Sequence, residues 1–227
     1  MRNLGFVVFP NVTQLDLTGP LQVLSRLPDC EAHVVGASLD PVPTDCPFSI
    51  VPTQTFDSCP PLDLLCVPGG FGTDAALADG RTVPFVSDQG RQARYVTSVC
   101  TGAFVLGAAG LLEGRKATTH WAYHDLLDRV GAVATEGRVV VDDASAPVVI
   151  TGGGVTAGID FGLLVAAEVA GPEVAQAIQL SIEYDPAPPF NAGHPRSAPP
   201  SVRDRVARRY DARKAEFAAQ LEALPRP

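Results

Sequence analysis

The strongest chemical signal in this chain is Ser98-Val99-Cys100-Thr101-Gly102, where an apolar run ends abruptly in a thiol and a second run, Ala103-Phe104-Val105-Leu106, begins after a glycine. That is the spelling of a strand, a tight turn and a helix start. A side chain at such a junction faces unpaired backbone N–H groups and the positive end of a helix dipole. The Cys100 thiol is therefore expected to ionise more easily than a free one and to act as a nucleophile. Asp16 stands among apolar neighbours in Gln14-Leu15-Asp16-Leu17-Thr18-Gly19-Pro20, and burial there would raise its pKa and let it exchange a proton near neutrality. Each has a plainer reading, a buried structural cysteine and a turn or helix-cap aspartate.

Two glycine-rich turns, Pro68-Gly69-Gly70-Phe71-Gly72 and Thr151-Gly152-Gly153-Gly154-Val155, present bare backbone N–H groups suited to an anionic intermediate or a thiolate. Neither spells a nucleotide-phosphate loop, so nucleotide is excluded as the ligand. In Thr118-Thr119-His120-Trp121, His120 is a candidate base for the thiol. It opens a helix on a different β-α unit, and a capped helix start beside a packed aromatic explains the same residues. His124 lies one turn on, but no ligand accompanies the two histidines at metal-site spacing, and no metal is expected.

Alternating strands and helices must position these groups. Leu4 to Phe9 reads as the first strand, and Val12 to Leu27 as a helix entered through a turn at Gly19-Pro20. Strands follow at 32–37, 62–67 and into Cys100, with a small hairpin around Phe48 in a proline-rich segment, and helices near 73–79 and 82–93. Further strands are expected near 132–134, 138–141 and 147–150, after a helix from Trp121 to Arg129. Helices over 155–170 and from Pro172 to near Tyr184 complete a mainly parallel α/β sheet covered on both faces. In such sheets ligands bind beyond the carboxyl ends of the strands, where Cys100, Asp16 and the glycine turns converge. The proline-rich stretch from Asp185 to Pro200 cannot be regular and delivers the chain to a terminal helix. This divides the chain into a domain of 1–184 and an extension of 185–227 that packs on the core or on a partner subunit.

With 227 residues, 46% hydrophobic and 19% charged, the chain can bury a substantial core. No apolar run approaches the roughly 18 residues of a membrane span, and the first strand pattern begins too early for a signal peptide, so a cytoplasmic protein is expected. Five cysteines without a C-x-x-C pair argue against a disulfide framework or a zinc site. The net charge is −8, with a local +3 in residues 201–227. Acids interleave with the basic residues there at helical spacing, as on a solvated helix, and the acidic remainder repels nucleic acid.

Val67-Pro68-Gly69-Gly70, Tyr95-Val-Thr-Ser-Val-Cys-Thr-Gly-Ala103, Ala117-Thr-Thr-His-Trp121 and Thr151-Gly-Gly-Gly-Val-Thr-Ala-Gly-Ile-Asp-Phe161 together resemble the DJ-1/PfpI superfamily over most of residues 3–184. The resemblance implies its flavodoxin-like sandwich. Two branches share these motifs, the isocyanide hydratases and the sensor domains of AraC-type transcription regulators. The segment 14–20 and the tail Glu183-Tyr-Asp-Pro-Ala-Pro-Pro-Phe-Asn-Ala-Gly193 resemble the hydratases, and the 27 residues after Pro200 are too few for paired helix-turn-helix motifs. Asp16 stands where many members carry glutamate, and Thr101 stands where protease-like members carry histidine.

What the resemblance implies is a cofactor-free hydration of an isocyanide to an N-substituted formamide through a thioimidate on Cys100. In it Asp16 moves the protons, Thr101 assists through its hydroxyl or N–H, backbone donors at Gly70 and Val155 support charge, and His120 stands in a second layer. Isocyanide and water are the implied partners, in a homodimer with neither nucleic acid nor membrane. The competing reading is a cysteine redox sensor or a regulator-type sensor domain.

Overall fold

The computed structural model describes residues 1–224, so the end of the 185–227 extension lies outside the described residues. The chain runs β1 (Arg2–Val7), α1 (Gln14–Leu24), β2 (Cys30–Gly36), β3 (Val42–Pro43), β4 (Ser49–Ile50), β5 (Gln54–Thr55), β6 (Leu64–Val67), α2 (Thr73–Ala78), α3 (Thr82–Gly90), β7 (Tyr95–Val99) and α4 (Gly102–Ala108). It continues through β8 (Lys116–Ala117), a 3₁₀ helix (Trp121–Val130), β9 (Val133–Ala134), β10 (Val139–Asp142), β11 (Val148–Gly152), α5 (Ala157–Ala170), α6 (Pro172–Ser181) and α7 (Pro200–Ala223).

Seven strands form one sheet in the order β10-β11-β7-β6-β1-β2-β5, parallel throughout except for β10. Helices cover both faces, and β6 and β7 are buried at every residue, as central parallel strands must be. The chain leaves β1 toward β2 on one side and returns to β6 on the other, so the topological switch point lies between β1 and β6. The loops after β1, β6, β7 and β11 therefore converge at one end of the sheet, where such folds bind ligands.

One helix departs from the sequence expectation. α1 begins at Gln14 and runs straight through Pro20 instead of being entered there. Asp45 caps its start, its Oδ1 accepting the Gln14 N–H at 2.9 Å. Packing outweighs the hydrogen bond that Pro20 cannot donate: the ring sits against α5 at Gly158, where a Cβ would come within 2.9 Å of Pro20 Cδ. Asp16 is thereby fixed in the first helical turn with no exposure at all.

Asp142 on β10 is bonded at 3.0 Å by Arg115 Nε and at 2.8 Å by the Lys116 N–H, while Arg115 also donates to the carbonyls of Asp142, Ser145 and Pro147. This ion pair ties the β8 edge to the sheet. The terminal helix lies on its own chain, burying Phe217 and Leu221 and setting Phe217 edge-on to Phe104 with centroids 5.0 Å apart.

Candidate active site

Cys100 follows β7 with φ +56, a left-handed conformation that an L residue other than glycine adopts at a cost of about 1–3 kcal/mol. Its surroundings hold it there. The Cys100 N–H donates to the carbonyls of Gly152 and Gly153 at 3.0 and 2.8 Å, and the Thr119 hydroxyl donates to the Cys100 carbonyl at 2.6 Å. The turn leads directly into α4 through Gly102, where a Cβ would stand 2.1 Å from the Val67 carbonyl oxygen. Gly69 is required for a similar reason: a Cβ there would lie 2.5 Å from the Thr101 nitrogen and 2.9 Å from Cys100 Cβ. The loop after β6 thus seats against the thiol turn with nothing between them.

The same loop reaches Asp16, whose Oδ2 accepts the Gly69 N–H at 3.2 Å. The Cys100 side chain lies within reach of the carboxyl, while Asp16 Oδ1 has no well-formed partner and no contact with solvent. Burial raises the Asp16 pKa to about 7 against the pull of Cys100 and Gly69. The thiol behaves contrary to expectation. Burial, followed by the nearby Asp16 carboxyl, pushes Cys100 well above the ordinary cysteine range, and the Thr101 N–H and hydroxyl only partly offset it. At neutral pH the sulfur keeps its proton while Asp16 sits near its midpoint, so the carboxyl is the group able to accept the thiol proton.

Thr101 is anchored on both sides. Its hydroxyl accepts the Gly70 N–H at 3.0 Å and lies 2.8 Å from the Thr73 hydroxyl. Gly70, with φ +131, is thus engaged with Thr101 through its N–H. Val155 lies at the entry to α5, where its carbonyl accepts the Gly158 N–H, and the Thr151–Val155 turn meets the Cys100 N–H with the carbonyls of Gly152 and Gly153. The reason lies in the ladder: Gly152 pairs with Val99 in register, so the carbonyls at the end of β11 extend the sheet bonding to the next residue of β7.

His120 caps the 3₁₀ helix, its Nδ1 accepting the Ala122 N–H at 3.3 Å, which leaves the ring proton on Nε2. Burial lowers its pKa to about 4, so the imidazole is neutral under ordinary conditions. It packs against Trp121, Tyr123 and Tyr210 at 5.3–6.2 Å between centroids. His124 Nε2–H donates to the Thr135 carbonyl at 3.1 Å, which accounts for it structurally. The site therefore brings Cys100, Asp16 and Thr101 together, with His120 in the surrounding aromatic layer.

Sequence reasoning missed Thr119, Thr73 and the aromatic residues contributed by α7. The two threonines had a signal in the Thr118-Thr119 pair and at the start of α2. Tyr210 had none, because it is an ordinary residue on a strongly charged helix.

A thiol on a strained strand-to-helix turn beside a buried carboxyl, at the switch point of a parallel sheet, defines a cysteine site of the DJ-1 type. The chain belongs to the DJ-1/PfpI family, whose profile matches residues 3–168. It is 53% identical over 206 residues to a protein of Pseudomonas putida named isonitrile hydratase, covering 91% of this chain and 89% of that one. A crystal structure of a ThiJ/PfpI family protein from Pseudomonas syringae superposes with a TM-score of 0.91 at 46% identity, over 98% of this chain and 90% of that one. Drosophila melanogaster DJ-1β shares the fold at 20% identity with a TM-score of 0.70, over 82% of this chain and 99% of that one.

Proposed function

We propose that this protein is an isocyanide hydratase, adding water to R–N≡C to give the formamide R–NH–CHO. The observation that carries the reading is the pairing of a protonated Cys100 with a fully buried Asp16 whose pKa stands near 7 and whose Oδ1 lacks a partner. The 53% identity with the isonitrile hydratase supports it. An isocyanide carbon must receive both a nucleophile and a proton, which is what this pair can deliver.

The thiol proton passes to Asp16 and from there to the isocyanide carbon, as Cys100 Sγ bonds to that carbon and forms the thioimidate R–N=CH–S–Cys100. Asp16, again a carboxylate, accepts a proton from water while the hydroxide oxygen bonds to the same carbon. That proton is handed to nitrogen, giving R–NH–CH(OH)–S–Cys100. The C–S bond then breaks as C=O forms, and the hydroxyl proton returns to the Cys100–Asp16 pair. Water thus supplies the formamide oxygen, the N–H proton and the restored thiol proton. Thr101, with its N–H and hydroxyl toward the sulfur, steadies the departing thiolate. His120, neutral and with its proton on Nε2, belongs to the surrounding layer. The reaction calls for no cofactor.

A redox sensor would need a readily ionised and accessible thiol, whereas Cys100 is 6% exposed and its pKa is raised. We place the protein in a reducing compartment, the cytoplasm, on the support of five cysteines that are all unpaired. It works as a homodimer without nucleic acid, residues 1–184 forming the core and 185–227 its extension. Half-buried Leu163 and Leu164 and the 82%-exposed Leu180 support an apolar contact between copies. Sedimentation showing only monomer at micromolar concentration would exclude that assembly.

The test of the activity is incubation with an alkyl or aryl isocyanide, following formamide appearance by NMR. Turnover by the wild type and its loss in Cys100→Ala are expected. No formamide from any isocyanide would refute the assignment.

A further inference from the structure

We infer that the narrow cleft beside Thr101 seats the water that hydrolyses the thioimidate: Tyr123 donates its hydroxyl proton to that water, and the hydroxyl oxygens of Thr73 and Thr101 accept from it. The inference rests on the hydratase reading and adds Tyr123 and Thr73 to the groups that carry its second half.

The cleft has about 10 Å³ of space, which is about what a single water fills. Thr73, Thr101 and Tyr123 all line it, so three hydroxyl-bearing side chains meet around a volume too small for anything larger. The buried Phe217 ring covers it from α7. Arg213 and Asp74, bonded to each other at 2.9 Å and both partly exposed, complete the lining where it approaches solvent. The Tyr123 ring is held in place edge-on to Tyr210 and Phe217, with centroids 5.8 and 5.7 Å away.

A held water needs two to four polar partners. Tyr123 is 5% exposed, and among the described residues no group bonds its hydroxyl, so the outlet of the phenol is the cleft that it lines. Burial raises the phenol above its ordinary range against the pull of Arg213, so it keeps its proton and can donate it. The Thr73 hydroxyl donates to the Gly70 carbonyl at 2.8 Å, while the Thr101 hydroxyl accepts the Gly70 N–H at 3.0 Å and lies 2.8 Å from that of Thr73. A hydroxyl oxygen has two acceptor sites, so each threonine retains one for a water proton. Thr101 also joins this water to the chemistry. Its N–H and hydroxyl reach the Cys100 sulfur, so a water on the same hydroxyl stands one side chain away from the atom that carries the thioimidate carbon. The water oxygen bonds to that carbon, one proton passes through Asp16 to nitrogen, and the other returns to the Cys100–Asp16 pair as the C–S bond breaks. A seat for one water supplies the nucleophile for one turnover and keeps bulk solvent out.

The experiment measures kcat and kcat/KM for methyl isocyanide, and by intact mass of acid-quenched enzyme the fraction of Cys100 that carries the thioimidate. Tyr123→Phe keeps the ring and its packing and removes only the hydroxyl. It is expected to lower kcat by about ten-fold, leave kcat/KM within about two-fold and raise the adduct fraction, because capture of the isocyanide precedes the slowed step. Thr73→Val is expected to show the same pattern and Thr73→Ser to restore wild-type rates. Unchanged kcat in Tyr123→Phe, or parallel falls of kcat and kcat/KM with no build-up of adduct, would overturn the proposal.

A second measurement is independent of turnover. High-resolution crystal structures of the wild type and Tyr123→Phe are expected to show one ordered water, bonded to the Tyr123 hydroxyl and to the hydroxyl of Thr73 or Thr101, that is lost in the variant. A wild-type cleft without that water would overturn the seat. The water in place in a wild type that hydrates no isocyanide would sink the hydratase reading and leave the water site standing.

Discussion

Replacing Asp16 by asparagine should abolish turnover and, above neutral pH, make the protein more stable. Folding raises the Asp16 pKa from 3.8 to about 7, chiefly through burial. At 1.36 kcal/mol per pKa unit, keeping this carboxylate charged in the folded protein costs about 4 kcal/mol once the pH exceeds the folded value. The sign follows from proton counting. Between about pH 4 and pH 7 the folded chain still holds the proton that the unfolded chain has released, so the Asp16 contribution lowers stability as pH rises through that window and is absent below it.

Asparagine carries no charge and can keep the Gly69 N–H bond through its carbonyl oxygen. Its NH₂ would occupy the place of the unpartnered Oδ1, and a buried unpaired donor costs about 1–3 kcal/mol at every pH. The net expectation is a stabilisation of about 1–3 kcal/mol at pH 8, a Tm rise of about 2–12 °C, turning to a loss of about 1–3 kcal/mol near pH 4. Denaturant unfolding of wild type and Asp16→Asn at both pH values measures the double difference, with formamide production followed alongside. A stability difference that does not change with pH would refute the raised pKa. An active Asp16→Asn enzyme would refute its role in proton transfer.

Other outcomes test the remaining parts of the site and fold. Cys100→Ala should remove turnover while shifting stability by no more than about 2 kcal/mol, and intact-mass analysis of wild type under turnover should find the adduct on Cys100. An adduct on Cys30, Cys46, Cys59 or Cys66 would reassign the nucleophile. Gly69→Ala places a Cβ 2.5 Å from the Thr101 nitrogen, so it should lower kcat by about a hundred-fold through displacement of the thiol turn, read by steady-state kinetics on folded protein. Arg115→Lys cannot reproduce the guanidinium fork that bonds Asp142 and three carbonyls, and should cost about 3 kcal/mol, or a Tm loss of about 6–12 °C by calorimetry, with kcat retained. Titration of mixed-sequence duplex DNA at low and moderate salt should show no salt-dependent affinity, since the net charge is −8. Tight, salt-sensitive binding would contradict that.

The alternation of strands and helices, the strand-turn-helix at Cys100 and the apolar setting of Asp16 were legible because each depends on local pattern: a buried parallel strand needs a continuous apolar run, and a tight turn needs glycine beside it. The helix through Pro20 was not legible, because the packing of α1 on α5 that tolerates the proline joins residues far apart in sequence. The direction of the Cys100 pKa shift escaped for a similar reason. Sequence shows the turn that favours a thiolate, but burial and the facing carboxyl are tertiary facts, and in a low-dielectric interior they outweigh the turn. Only the strand register decided that the Cys100 N–H meets the carbonyls of Gly152 and Gly153, and only the seating of the loop after β6 on the thiol turn decided that the Gly70 N–H meets the Thr101 hydroxyl. Only the docking of α7 brought Tyr210 to His120 across 90 residues, since no local periodicity can say which face of a charged helix another element will cover.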